Sequence, residues 1–222
     1  MKQYYLVLNW KSNKTIEDTK NWFIQFPFRN KPDNLTIILC VPFTVLSTVK
    51  DEIRRRNLPI YVGVQTVSSF PNGAYTGEVS AEMLKGLAEY VLVGHSERRR
   101  YFHETDEELY KKSQEATKNG LKIIYCVEGV DQNIPGETAV VLYEPKSAIG
   151  SGKTEDPAFS EQIVREISQK NHNIPVLYGG SVTEKTMGGF LSQPSISGVG
   201  VGGASLKPEQ CIQLIEAFAS YG

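Results

Sequence analysis

The chain has 222 residues, 40% of them hydrophobic and 22% charged, with a mean hydropathy of −0.29. That profile excludes a disordered or collagen-like chain, and no stretch approaches the ~18 uncharged apolar residues of a membrane helix. Lys and Arg total 24 against 25 Asp and Glu, a net charge of −1, so no global basic field invites nucleic acid or an anionic membrane surface.

The first residues, MKQYYLVLNWKSN, hold only a short apolar run before Asn9 and Lys11, and they read as a strand rather than a leader. Strand-like apolar runs then recur at 35–41, 60–64, 90–93, 121–126, 138–143, 175–178 and 197–201. Most are continuous rather than alternating, which suits strands buried on both faces of a parallel sheet. Helical patterns lie between them at 15–26, 44–56, 105–119, 156–169, 183–191 and 208–220. The third of these opens on Thr105 with Glu108 three residues on and Gly120 just past its end, a capping box and a helix stop.

The spacing gives a repeat of roughly 28 residues, the size of one βα unit, and eight such units close into a (β/α)8 barrel. A doubly wound open sheet is the alternative pattern. No linker or composition shift divides residues 1–222, which read as one α/β domain. The chain is short for such a barrel, and the shortfall falls between strands 5 and 6. Residues 127–137 contain Gly129, Pro135 and Gly136, so a fifth helix is expected to be shortened or missing there. Of the three cysteines, Cys40 and Cys126 end apolar runs and Cys211 stands far from both, with no CxxC spacing. The first two read as buried thiols, and the odd, scattered set suits a reducing, cytoplasmic setting.

Barrels place their chemistry where strands end. The first strand ends in Asn9-Trp10-Lys11, the fourth in Gly94-His95-Ser96-Glu97-Arg98, and the sixth in Glu144-Pro145. The seventh and eighth run into Gly179-Gly180-Ser181 and Gly202-Gly203, read as turns preceding helices, where glycine lets backbone N–H groups approach a phosphate. A lysine, a histidine and a glutamate on one rim suit proton abstraction beside a carbonyl: a carboxylate base, a hydrogen-bonding electrophile and a fixed positive charge.

Seven strings stand in one order along the chain: Asn9-Trp10-Lys11, Gly73-Ala74-Tyr75-Thr76-Gly77-Glu78, Gly94 to Arg99, Tyr143-Glu144-Pro145, Ala148 to Lys153, Tyr178 to Val182, and Gly202 to Leu206. Together they resemble the triosephosphate isomerase family over essentially the whole sequence. The resemblance implies a TIM barrel that interconverts dihydroxyacetone phosphate and glyceraldehyde 3-phosphate. It implies Glu144 as base, His95 as electrophile, Lys11 as electrostatic stabiliser and Glu97 as its ionic neighbour. Asn9 lies beside Lys11, and the phosphate is expected on Gly150, Ser181, Gly202 and Gly203, with no metal or cofactor. Residues 145–153 then read as a lid. The same resemblance implies a homodimer in which the long loop 66–79, carrying Thr76, reaches the partner.

The sequence departs from the family pattern in three places. Cys126-Val127-Glu128-Gly129 alters the motif after strand 5, Lys146-Ser147 stands where the lid has a tryptophan, and Thr66 replaces an asparagine. Gly150-Ser151-Gly152-Lys153-Thr154 mimics a nucleotide loop, but Ser147 occupies the place of its first glycine. The run Gly198 to Gly203 mimics a dinucleotide fingerprint but lies in the last strand. A Schiff-base aldolase using Lys11 would account for the lysine, glutamate and glycine turns, though not for the His95-Ser96-Glu97-Arg98 string.

Overall fold

In the computed structural model, residues 2–26, 28, 30–148, 152 and 154–221 are described. Eight parallel strands among them close in sequence order into a barrel, each hydrogen-bonded to the next and the last to the first. They are β1 (Tyr4–Asn9), β2 (Leu35–Val41), β3 (Ile60–Val64), β4 (Tyr90–Val93), β5 (Lys122–Val127), β6 (Thr138–Tyr143), β7 (Val176–Tyr178) and β8 (Ile196–Val201). The expected strand bounds hold to within a residue or so.

Alternate residues of each strand serve different layers. Val7, Ile38, Cys40, Leu92, Ile124, Cys126, Val140, Leu142 and Leu177 form one buried cluster, the barrel interior. Leu6, Leu8, Ile37, Leu39, Ile123, Tyr125 and Val141 belong to a second and larger cluster with the helix side chains. Both faces of the wall are thus apolar, which is why the runs carry no polar alternation. Glycines on β3 and β8 let bulkier neighbours fill the lumen: a Cβ at Gly200 would stand 2.7 Å from Leu142 Cδ1.

The helices are α1 (Ile16–Ile24), α2 (Leu46–Arg55), α3 (Ser96–Phe102), α4 (Asp106–Lys118), α5 (Pro157–Lys170), α6 (Met187–Leu191) and α7 (Pro208–Ala217). Thr15 and Asp18 make a reciprocal capping box on α1, and Thr105 and Glu108 make the expected one on α4. Gly120 follows α4 with φ +82°, a conformation costly for any residue with a Cβ. Residues 128–137 form turns without a helix, as expected, and Val130 and Ile134 pack against the outer core there.

Two expectations are corrected. The helix expected over 183–191 spans only Met187–Leu191, because Thr183 and Thr186 bond to each other in a turn and Gly188 and Gly189 weaken the helical segment beyond it. The turn at 179–181 therefore does not lead directly into a helix, and the one after β8 leads into a 3-10 turn, Gly203–Leu206. Helix α3 was not anticipated: among its residues only Ser96 is buried, so no apolar stripe announces it.

Candidate functional site

Each strand hands its last residues to one end of the barrel, where Asn9, Lys11, His95, Glu144, Ser181 and Gly202 line a cavity of about 200 Å³. Gly203 lines it too. The residues expected from the sequence to act together are therefore brought together, although 135 positions separate Asn9 from Glu144 in the numbering.

Lys11 is built into an unusual backbone. Its φ is +50°, a left-handed value that costs a lysine of order 1–3 kcal/mol. Local hydrogen bonds hold it there. Asn9 Oδ1 accepts the Lys11 N–H at 2.9 Å, and Gln65 Nε2 donates to the Lys11 carbonyl at 2.8 Å. Gln65 also donates to Asn9 Oδ1 at 3.2 Å, so one side chain from the end of β3 braces the end of β1. Ser205 closes the other side by donating to the Asn9 carbonyl at 3.1 Å. The ammonium reaches Glu97 Oε1 at 2.6 Å, the ionic neighbour expected for it. A Cβ on Gly202 would lie 3.2 Å from Lys11 Cε, so the glycine leaves that stem its room.

His95 and Glu144 are both buried, 6% and 3% exposed, and such burial is tolerable for ionisable groups only when they are bonded. His95 Nε2 lies 3.0 Å from Glu144 Oε1, and Glu144 Oε2 accepts the Ser96 backbone N–H at 2.9 Å. Burial raises the Glu144 pKa, but the imidazole and the Ser96 N–H outweigh it and hold the carboxyl below the usual range. On His95, burial lowers the pKa while the Glu144 carboxylate raises it by more in this arrangement. The other ring nitrogen fixes the tautomer. His95 is the N-cap of α3, and its Nδ1 accepts the Glu97 backbone N–H at 3.2 Å. The peptide plane fixes that hydrogen, so Nδ1 must offer a lone pair. An imidazolium would set N–H against N–H. That contact selects the tautomer whose hydrogen lies on Nε2, facing Glu144 and the cavity, and it opposes the upward pull of the carboxylate.

On the opposite side, Ser181 takes φ +50° and donates from Oγ to the Ala148 carbonyl at 2.8 Å, tying the turn after β7 to the segment leaving Glu144. Gly180 is required where it stands, since a Cβ would fall 2.5 Å from Tyr178 OH and 2.7 Å from the Ala148 methyl. Gly150 lies outside the described residues, as does much of the expected lid. Thr76 is exposed on the loop 66–79 and away from the cavity of its own chain. Among the described residues, no group of three His, Cys, Asp or Glu is placed to hold a metal ion, and no helix is long and apolar enough to cross a membrane.

The sequence reading gave no bracing role to Gln65, Ser96 or Ser205, which bond to Lys11, Glu144 and Asn9 respectively. Gln65 carried a usable signal, a lone amide directly after a strand; Ser205 carried none.

Comparison with known proteins bears on the whole chain. The family model described as Triosephosphate isomerase matches residues 4–218. The triosephosphate isomerase of Mesomycoplasma hyorhinis is 36% identical, with 97% of this chain and 98% of that protein aligned. That of Chlamydia muridarum is 34% identical over 98% and 92%. That of Synechococcus sp. strain JA-3-3Ab is 36% identical over 97% and 95%.

Proposed function

The chain belongs to the triosephosphate isomerase family, and from that premise we propose how its residues interconvert dihydroxyacetone phosphate and glyceraldehyde 3-phosphate. The observation that carries the reading is the apposition of the Glu144 carboxylate to Nε2 of His95 at 3.0 Å, across the mouth of a cavity that also holds Lys11.

Glu144 leaves the Ser96 N–H and takes a proton from C1 of dihydroxyacetone phosphate. The C–H electron pair forms the C1–C2 double bond, and the carbonyl electrons move onto O2. His95 donates its Nε2 hydrogen bond to that oxygen and relays a proton between O1 and O2. A neutral imidazole suits this work, because its acidity is closer to that of the enediol than an imidazolium's would be. Glu144, now protonated, returns the proton to C2, and glyceraldehyde 3-phosphate results. Lys11 stabilises the negative charge that develops, with Glu97 holding its ammonium in place. Backbone N–H groups at Gly150, Ser181, Gly202 and Gly203 bind the phosphate. Every step uses side-chain acids and bases, and no cofactor enters.

Three further assignments rest on the resemblance and on surface features that support it. Residues 1–222 form one barrel domain. Two copies associate through the loop 66–79, a reading supported by a tip stiffened by Phe70 stacked on Tyr75 at 4.3 Å, with Thr76 exposed on it. The protein works in the cytoplasm, which suits three free, buried thiols.

A coupled assay for glyceraldehyde 3-phosphate isomerisation, with phosphoglycolate as competitor, tests the reading. Turnover suppressed by phosphoglycolate is expected; no turnover at micromolar enzyme would overturn it.

A further inference from the structure

Glu155 has no part in the proton transfer, yet it joins three elements around it. Its Oε2 accepts from the Tyr143 hydroxyl at 3.2 Å and from Ser160 Oγ at 2.9 Å. Its Oε1 meets Ser147 Oγ at 3.5 Å, and its backbone N–H donates to the Tyr178 hydroxyl at 2.8 Å. Tyr143 is the last residue of β6, immediately before Glu144. Tyr178 is the last residue of β7, immediately before Gly179-Gly180-Ser181. Ser160 lies in the first turn of α5.

Helix capping does not account for this carboxylate. Asp156 is the N-cap of α5 and accepts the N–H groups of Ala158 and Phe159, with Pro157 at the first helical position. The helix start is already served, and the Glu155 carboxylate is turned instead toward Tyr143 at the end of β6, while its backbone N–H reaches Tyr178 at the end of β7. The tyrosines it holds are themselves fixed. Their rings meet edge-on with centroids 6.3 Å apart, and Tyr178 stacks on Phe190 at 3.9 Å. Burial first, and then Glu155, raise the Tyr143 pKa, so its hydroxyl keeps the proton it donates.

We propose that Glu155 is a positioning residue for the isomerisation: by anchoring Tyr143 to Tyr178 it sets the Glu144 carboxylate against the turn at 179–181, where the substrate phosphate is held. The proposal rests on Glu144 being the base. Proton abstraction is sensitive to small displacements, and a misplacement of about 1 Å can cost as much as 10²-fold in rate. A residue that fixes the peptide immediately before the base therefore acts on kcat without touching substrate.

The test uses the full chain and the variants E155A, E155Q, Y143F and E155A/Y143F, with kcat, KM, phosphoglycolate affinity and Tm measured for each. E155A and Y143F are each expected to lower kcat roughly tenfold while KM stays within about twofold, since the substrate contacts are untouched. The double variant is expected to be no slower than E155A, because both changes break one link. E155Q, which keeps an acceptor oxygen for the hydroxyls, recovers most of the rate. A folded E155A with wild-type kcat, or fully additive effects in the double variant, would overturn the proposal. If E155A does not fold, Y143F decides alone: a tenfold loss of kcat at unchanged KM supports the proposal, and any other outcome overturns it. E144Q assayed in parallel separates the two readings. Activity retained in E144Q removes the base assignment itself, whereas its loss beside an unaffected E155A removes only the positioning role.

Discussion

The Glu144 carboxylate and the Ser96 backbone N–H meet at 2.9 Å, so the carboxylate rests on the β4 side of the rim, bonded at the first residue of α3. Two strand ends that are remote in sequence thereby share one hydrogen bond, which the proposed proton transfer must break. Shortening the side chain by one methylene keeps the charge but withdraws the carboxylate from a proton it must reach. Glu144→Asp is expected to lower kcat by about 10²–10³ with little change in KM, a loss of transition-state contact only. Single-turnover kinetics with an unimpaired chemical step would remove Glu144 from the role of base.

Acid stability depends on the same pair. The Glu144 carboxyl is held below the ordinary carboxylate range by His95 and the Ser96 N–H against the pull of burial. A depressed folded-state value gives stability that is complete above the unfolded value of ~4.3 and is lost as pH falls through the folded one. Urea titrations of the wild type and E144Q, compared at neutral pH and near pH 3, are expected to show the difference moving against the wild type on acidification. A difference independent of pH would mean that the carboxylate is not held in its charged form.

Gly198 in β8 has φ +145°, and a Cβ there would fall 1.9 Å from the Tyr5 carbonyl oxygen of the adjacent strand. That contact is backbone and cannot swing aside. Gly198→Ala is expected to destabilise the barrel by about 3 kcal/mol or more, among the larger single-residue effects. Gly129, with open space around its Cβ position, is the control, and Gly129→Ala should stay within ~0.5 kcal/mol. Equal denaturation midpoints for the two variants would contradict the close β1–β8 approach.

Thr76 stands exposed at the loop tip expected to reach the second copy. Thr76→Arg puts a bulky charge at that contact. Sedimentation velocity is expected to show monomer at micromolar concentration, with kcat/KM lowered roughly a hundredfold as the rim loses its outside brace. A dimer with full activity would place the interface elsewhere.

The strands were legible because both faces of the wall are apolar, which leaves continuous runs such as Leu35–Val41 and Thr138–Tyr143. Helices with a signal at the start were legible too, since Thr105 and Glu108 cap α4 as their spacing suggests. Helix α3 was not, because Ser-Glu-Arg-Arg-Arg-Tyr-Phe has no buried stripe. It is held by polar bonds made at a distance, Arg98 to Glu104 at 2.6 Å and Arg99 to Asp106 at 2.7 Å. Lys11, His95 and Glu144 were legible as strand-end residues whose types suit proton transfer, and they do line one cavity. Gln65 and Ser205 were not, because bracing a strained backbone can be done by many polar side chains, and only the fold says which one is near.

The bare link between β5 and β6 also bears on how the barrel assembles. Joining two ends of a flexible chain costs more entropy the longer the connection, about 0.6 kcal/mol for each doubling. Most other neighbouring strands here must order a whole helix before they can pair. Residues 128–137 need only fold back, laying Val130 and Ile134 over the seam. In time rather than in space, the missing helix gives this wall a low-entropy seam, a place where non-local pairing can begin early and from which the ring can grow in both directions.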